Sequence, residues 1–387
     1  MINTHELGWK NFNTIKNHLV TRDLLTEETS EYWEEESQAL HYILESSPTL
    51  IRNLRDHCHW LTGVRSYDYK SHHLHRENFF TPKYQALRNI DPSFPFYGEI
   101  GVLGDFGFKI ENQMVNLDTL KFFESMMALN LSGQLRRLSN IPRPTILEIG
   151  AGWGGFLSIL KRHLAKSQLV IVDLPYVLLF SATYLPTAFP SCSVGLKDSP
   201  EFTGKEDLIF MTPSQFDSWN PAKIDLAINM VSFQEMSTQQ VTEYGNKLLS
   251  KSCSVLYSHN LSKSPNNKEI ASVESCLSNW PYSHSVEILP MDYTIIKIQD
   301  DISLKSNKKI RNSSRLIMKI FGACLNLLGI ISKGKFTRTI EALFRPEVFK
   351  LLSANKSGKT NSIRNSLHHT RYMHRLFYSN LDFKYLD

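Results

Sequence analysis

The chain has 387 residues, 42% of them hydrophobic and 21% charged, with a formal net charge of +5. This is an ordinary globular composition, long enough to bury a full core and more than one folding unit, with no internal repeat or low-complexity tract. Five dispersed cysteines, Cys58, Cys192, Cys253, Cys276 and Cys324, form no CxxC pair. They argue against a disulfide frame or a zinc site and for reduced thiols in a cytoplasmic protein. Met1 to Arg22 is polar and does not read as a signal peptide.

The net charge hides an asymmetry. Residues 301–387 carry 17 Lys and Arg against 5 Asp and Glu, so the rest of the chain is acidic. A basic extension on an acidic body suits an anionic membrane, a phosphorylated substrate or nucleic acid; a solvated basic surface is the plain alternative. Of these we expect a peripheral membrane contact and no nucleic acid.

In chain order, residues 1–60 read as helical. One segment opens at Leu24-Leu25-Thr26-Glu27-Glu28 and runs to Leu44, Pro48 closes it, and a second runs from Leu50 to Leu61. His57, His59, His72, His73 and His75 cluster without zinc spacing, so exposed or substrate-contacting histidines are expected and no metal. Phe94 to Phe108 mixes aromatics with Gly98, Gly101, Gly104 and Gly107, as a shaped loop or strand pair would. Its Glu99 and Asp105 could contact a sugar, whose C–H faces stack on aromatic rings; turn glycines with core aromatics are the plainer reading. Asn116 to Leu138 reads as one apolar helix, with Leu117, Leu120, Phe123, Met127 and Leu131 at helical steps.

From Pro142 strands and helices alternate. Strands are expected at Thr145–Gly150, Gln168–Asp173, Asp207–Met211, Lys223–Met230 and Ser254–Ser258, with a closing hairpin of Val286–Leu289 and Tyr293–Ile298. Helices are expected at 156–166, 177–189 and 238–249. The pattern predicts a mostly parallel sheet in an α/β fold. Beyond 300, Leu316 to Ile331 is apolar but short for a membrane span, which needs about 20 residues; an interfacial or packing helix fits better. The division predicted is 1–141 helical, 142–300 α/β core, and 301–387 basic extension.

The first strand ends in Glu148-Ile-Gly150-Ala-Gly152-Trp-Gly154-Gly155. Glycines after a strand let the backbone approach a ligand, and the following helix start offers unpaired N–H groups. Gly150, Gly152 and Gly155 match GxGxxG, and Asp173 ends the second strand, where a carboxylate can accept both ribose hydroxyls. NAD and S-adenosylmethionine both carry that ribose. Glu148 favours S-adenosylmethionine, because dinucleotide strands hold an apolar residue there and a carboxylate suits an ammonium. The mid-chain loop behind a helical region and the closing hairpin point the same way.

Glu148 to Gly155, Val172-Asp-Leu-Pro-Tyr and Asn229-Met-Val-Ser-Phe-Gln-Glu-Met236 together resemble the bacterial sugar O-methyltransferase family, within the class I S-adenosylmethionine-dependent methyltransferases. The resemblance covers about 90–300. It implies a Rossmann-like, seven-stranded, mostly parallel sheet and methyl transfer to a sugar hydroxyl in surface-polysaccharide synthesis. It further implies that Glu148, Gly150, Gly152 and Gly154 hold the methionine half of the cofactor. Asp173 and Leu174 would hold the ribose, Thr212 to Phe216 would flank adenine, and Asn229 would face the sulfonium.

A base that removes the acceptor proton is worth about 10²–10⁴-fold. Glu235 and His259 follow the fourth and fifth strands. Histidine has the better intrinsic pKa, and Glu235 could orient it or the sugar. Equally, Glu235 could cap the next helix and His259 could be a satisfied loop histidine. A methyltransferase on a non-sugar metabolite, an NAD(P)-dependent oxidoreductase and a catalytically silent scaffold of the same fold remain open.

Overall fold

The computed structural model describes residues 3–27, 30–70, 77–264, 267–286 and 372–380. The chain divides into two compact units, one of 1–260, 264–289 and 373–387 and one of 261–263 and 290–372.

The first unit is built on an eight-stranded sheet. A small antiparallel pair, β1 (Phe108–Ile110) and β2 (Gln113–Val115), precedes it. The sheet strands are β3 (Thr145–Ile149), β4 (Gln168–Val172), β5 (Val194–Leu196), β6 (Leu208–Met211), β7 (Leu226–Met230), β8 (Val255–Leu261), β9 (Tyr282–Val286) and β10 (Tyr372–Tyr378). Their spatial order is β5-β6-β4-β3-β7-β8-β10-β9. The pairings from β5 to β8 are all parallel, and β9 with β10 is antiparallel. Ser379, just past β10, donates to the Ser254 carbonyl just before β8, so β10 runs against β8 as well. This is the expected α/β, Rossmann-like, mostly parallel sheet, with eight strands in place of seven.

The difference has two sources, one local and one distant in the chain. The short edge strand β5 contains Gly195 and lacks the apolar run that marks a buried strand. The closing antiparallel partner of β9 comes from β10, nearly ninety residues further on. The expected second arm, Tyr293–Ile298, and the apolar run Leu316–Ile331 lie outside the described residues. Residues from the basic C-terminal region thus supply a sheet strand, with Leu376, Phe377 and Tyr378 buried.

The inner strands β3, β4, β6, β7 and β8 are almost wholly buried, as parallel strands covered on both faces must be. One face carries Leu147, Ile149, Val170, Val172, Ala227 and Leu256 against α12 (Thr238–Ser250) and α13 (Val273–Cys276). The other face carries Glu148 and His259, and is met by α7 (Leu117–Leu131) through Ser125 and Glu124. Helix α9 (Gly155–His163) follows the glycine loop, and α10 (Pro175–Ala188) follows β4.

The expected helix 116–138 breaks at Gly133, where φ is +71°, into α7 and α8 (Gln134–Ser139). Asn116 caps α7 with a reciprocal bond to Thr119. Before the sheet lie α1 (Thr4–Thr21), α2 (Glu31–Leu40), the short turns α3 (Pro48–Arg52), α4 (Leu54–His57) and α5 (His59–Thr62), and α6 (Glu77–Ile90). Helix α1 packs along α10.

The N-terminal region is fastened by Arg55. Its guanidinium is fully buried and makes a two-point contact with Glu99, at 2.9 and 2.7 Å, and a 2.8 Å contact with Asp118 of α7. It also lies 4.5 Å from the Phe106 ring centroid and 4.1 Å from that of Trp153 in the glycine loop. Glu99 is therefore occupied within the protein and faces no substrate; Asp105 is exposed. The histidine cluster is scattered too: His57 shares a bond with Tyr42, and His59 with the Asp56 carbonyl. His72, His73 and His75 lie outside the described residues.

Replacing Arg55 by Ala leaves the buried Glu99 without its counter-ion and Asp118 with only its longer contact to Lys121. Urea unfolding of this variant is expected to show a loss of about 3–5 kcal/mol, the usual cost of breaking a buried pair from one side. A loss under about 1 kcal/mol would show that this anchor contributes little.

Candidate active site

The site forms at the carboxyl ends of β3, β4 and β7, where open α/β sheets bind their ligands. Gly150, Gly152 and Gly154 all take positive φ, +71°, +60° and +82°. A Cβ on Gly150 would lie 2.1 Å from Ser232 Oγ, and one on Gly154 would lie 2.8 Å from Leu185. A Cβ on Gly152 would meet nothing within 4 Å. Two glycines thus serve internal packing, and Gly152 alone opens its Cα face to free space, as close approach of a ligand requires.

Two carboxylates lie beside this loop. Glu148 of β3 is 2% exposed, and its Oε2 has no hydrogen-bond partner. Burial raises its pKa well above the carboxylate range, and the charge of Asp173 raises it further, while Lys121 acts the other way. Asp173, just past β4, accepts from the Gly152 N–H at 2.8 Å through Oδ2 and from the Leu174 N–H at 2.8 Å through Oδ1. Burial pushes it up to about 7, against those hydrogen bonds. Leu174 is the N-cap residue of α10, with Pro175 in the first turn. A buried acceptor with an unused oxygen, a second buried carboxylate and an open glycine face fit a ligand bearing an ammonium group and a ribose.

Asn229 is fully buried at the end of β7, and its amide is engaged inside the protein. Nδ2 donates to the Ile149 carbonyl (2.9 Å) and Ser232 Oγ (2.6 Å); Oδ1 accepts from the Phe233 N–H (2.9 Å) and Asn260 Nδ2 (2.9 Å). It thereby holds the turn after β7, in which Val231 sits at φ +61°. That conformation is rare for a β-branched residue, and such strain persists only where the surroundings enforce it. The Val231 N–H also donates to the His259 carbonyl at 2.9 Å. Asn229 therefore sets the loop against which Gly150 packs.

The turn delivers Glu235 to the site. Trp33 of α2 donates to its carboxylate, and Ser30 donates to its backbone carbonyl at 3.0 Å. Desolvation pushes Glu235 up to about 8; Lys121 and the Trp33 bond oppose this, while Glu36 and Asp173 add to it. Glu235 does not cap the next helix: Ser237 does, in a capping box with Gln240. Thr212 likewise caps α11 (Pro213–Ser218), and Glu27 accepts from Ser214 Oγ at 2.7 Å. Glu27 is thus bonded to α11, and Ser30 and Trp33 to Glu235.

His259 is placed differently. It is 0% exposed on β8, with Nδ1 3.0 Å from Ser125 Oγ, and its ring stacks on His374 of β10 at 4.1 Å. Burial and then His374 hold its pKa well below the usual histidine value, so it is neutral. His374 in turn bonds Tyr257 (2.7 Å) and Glu124 (2.8 Å), and Glu124 is paired with the fully buried Lys83 at 2.7 Å. Donor atoms of Glu124, His259 and His374 lie within 4.8 Å of one another, but the Lys83 ammonium already supplies the balancing charge. The geometry withdraws the base role drawn for His259 and gives it a packing role joining β8, β10 and α7.

Trp33 and Lys121, which act on Glu235, and Trp153 and Ser232, in the glycine loop and against Gly150, were not singled out from sequence. Ser232 and Trp153 lie inside the quoted motifs; Lys121 and Trp33 carried no local signal.

No family model matches this sequence, and no curated protein matches it. Solved structures do. One is a magnesium protoporphyrin IX methyltransferase from Synechocystis PCC 6803 with bound S-adenosylmethionine: 14% identity, 55% of this chain and 86% of that one, TM-score 0.30. The cyclopropane synthase MmaA2 from Mycobacterium tuberculosis matches at 11% identity over 71% and 89%, TM-score 0.35. The CurJ carbon methyltransferase matches at 12% over 75% and 88%, TM-score 0.32. Likeness this distant leaves function to the geometry of the site itself.

Gly150→Ala and Gly152→Ala are expected to separate folding from binding. The first forces a 2.1 Å contact with Ser232 and should lower the melting temperature strongly. The second costs only the left-handed strain, about 1–2 kcal/mol, and should fold yet lose at least about tenfold in affinity for S-adenosylhomocysteine by calorimetry.

Proposed function

We propose that the chain is an S-adenosylmethionine-dependent O-methyltransferase acting on a sugar hydroxyl of a surface glycan or its precursor. The observation that carries the cofactor assignment is Glu148: a buried carboxylate oxygen without a partner, beside the glycine loop and a second buried acid. A hydride-transfer cofactor offers no ammonium to satisfy it. The sugar acceptor is drawn from the motif resemblance around Asp173 and Ser232 to Met236. A peripheral membrane contact through the basic residues of 301–387 is part of the same proposal. Among the described residues no helix is long and apolar enough to cross a membrane.

When bound, the cofactor would supply an electrophilic methyl on a sulfonium. Glu148 would take its ammonium, Asp173 its ribose hydroxyls, and Gly152 would admit its backbone-facing side. Glu235, at the end of the turn after β7, would accept the acceptor's hydroxyl proton as the oxygen–methyl bond forms and the carbon–sulfur bond breaks, its electron pair returning to sulfur. Much of the rate would come from holding this line of attack, with a further 10²–10⁴-fold from the base, about the range of general-base catalysis.

Calorimetric titration tests the cofactor class. S-adenosylhomocysteine should bind and NADH should not, and Asp173→Ala and Glu148→Gln should each weaken binding at least about tenfold. Binding of NADH alone would overturn the proposal. Turnover of a panel of sugar and non-sugar acceptors then tests the substrate class.

The raised carboxylates also set a pH dependence. The folded-state pKa of Asp173, about 7, exceeds its unfolded value, so between about pH 4 and 7 the folded state holds more protons and stability falls as pH rises. Glu148 and Glu235 are raised as well and add to the same slope, so Asp173→Asn should lessen, not abolish, the fall in thermal stability over that range in the ligand-free protein. An unchanged slope would show that Asp173 is not desolvated.

A further inference from the structure

The loop Gly150-Ala151-Gly152-Trp153-Gly154-Gly155 contains four glycines. A backbone so rich in glycine loses much freedom when it is fixed in one shape. The Gly150 and Gly152 N–H groups bond outside the loop, to the Val172 carbonyl and to Asp173. The rest of the fixing falls to side chains. Ala151 offers a methyl group, and Trp153 is the loop's one large side chain. Trp153 is 2% exposed, and a Cβ on Gly155 would collide with its ring. A ligand at the open Gly152 face therefore meets backbone, while the side chain that anchors the loop is buried behind it.

What holds Trp153 comes from the N-terminal region. The Arg55 guanidinium carbon lies 4.1 Å from its ring centroid, and Tyr184 of α10 meets the ring edge-on at 4.8 Å. Both lead to the stretch of glycines and aromatics at 94–108. Arg55 pairs with Glu99, its backbone N–H donates to the Leu103 carbonyl at 3.0 Å, and its guanidinium lies 4.5 Å from the Phe106 centroid. Tyr184 donates to the Ile100 carbonyl at 3.1 Å. That stretch thus backs the glycine loop through Arg55 and Tyr184. A guanidinium over an indole face and out of water is at the strong end of cation–ring contacts. Its flat shape lets it stack on rings while its edge pairs with carboxylates, which a lysine cannot do.

We propose that Arg55 is a positioning residue for the cofactor, setting the glycine loop through Trp153 so that the N-terminal region and the cofactor site are energetically coupled. This rests on the reading of the loop as the S-adenosylmethionine site. Coupling is reciprocal: if Arg55 strengthens binding at the loop, a ligand at the loop must steady the surroundings of Arg55 by the same free energy. An ion pair that only fastened the N-terminal region would change stability and leave the ligand affinity of the folded protein as it was.

Hydrogen exchange of the full chain, read by mass spectrometry with and without saturating S-adenosylhomocysteine, tests the coupling. The ligand should slow exchange at 150–156 and also at 53–58, where the Arg55, Asp56 and Cys58 amides are hydrogen-bonded. In Trp153→Leu the slowing at 53–58 should vanish. By calorimetry, Arg55→Lys and Trp153→Leu should each weaken S-adenosylhomocysteine binding at least about tenfold, within the usual range of coupling between sites. Trp153→Phe, which keeps a ring face, should lose less than about threefold. The double variant Arg55→Lys, Trp153→Leu should bind no worse than the weaker single variant, because the two residues act as one unit. Additive losses, or slowing at 53–58 that survives Trp153→Leu, would show that Arg55 does not act through Trp153 and would overturn the proposal. So would an Arg55→Lys variant that melts lower yet binds as wild type does. Should the variants fail to fold, the wild-type exchange pattern decides: slowing at 150–156 without slowing at 53–58 overturns the proposal. If the wild type binds no S-adenosylhomocysteine, the cofactor reading itself falls and this proposal falls with it.

Discussion

Two acids buried together at the ends of adjacent parallel strands are the constraint from which the site follows. Burial raises the cost of ionising both Glu148 and Asp173, and the charge of Asp173 adds to it at Glu148. A buried carboxylate with an unpaired oxygen is expensive to fold around unless it gains something on binding. In the proposed function that gain is a cationic ligand, and the neighbouring backbone leaves room beside Gly152 for one. Gly152 leaves its face open and spends its N–H on Asp173, so the loop and the acid hold each other in place. The strain at Val231 belongs to the same arrangement. The turn after β7 must bend sharply to bring Ser232 against Gly150 and Glu235 toward the site, and the four bonds of Asn229 hold it there.

The parts legible in the sequence were those encoded locally. The strands β3, β4, β6, β7 and β8 announced themselves as apolar runs, since a strand buried on both faces has no polar alternation to obscure it. The glycine loop and Asp173 were legible because backbone geometry demands those residue types at that spacing. What escaped depends on partners far away in the chain. Nothing near Tyr282 says that its antiparallel neighbour is Tyr378. Glu99 read as a surface acid among aromatics because Arg55, 44 residues earlier, is the residue that claims it. His259 read as a base because a histidine after a strand looks the same whether it faces water or a stacked His374. Glu235 was legible as a carboxylate following β7, but Trp33 and Glu36, which act on it, lie some two hundred residues before it.

Helix α7 shows why a hydrophobic pattern is an incomplete guide to such a unit. Its apolar stripe was plain, and a single stripe normally leaves the opposite face to water. Instead both faces are covered, and the polar side carries a run of charges along the sheet: Glu99 to Arg55, Arg55 to Asp118, Asp118 to Lys121. One turn further on, Glu124 joins Lys83 and His374. Each carboxylate on the helix is matched by a cation from another element, so these charges fix the register of α7 against the sheet more narrowly than apolar packing alone would.

That register matters because the chemistry is a problem of charge placement. A site built to hold a cation is acidic by necessity, and an acidic site suppresses ionisation of any further carboxylate placed in it. Glu235 faces this conflict directly: burial raises its pKa most, and Glu36 and Asp173 add to it. Moving the base to a neutral histidine would avoid the conflict, yet His259 is enclosed by Ser125 and His374. Lys121 is tethered through Asp118 to the Arg55 anchor, so the fastening of the N-terminal region and the placing of α7 against the sheet belong to one charge network.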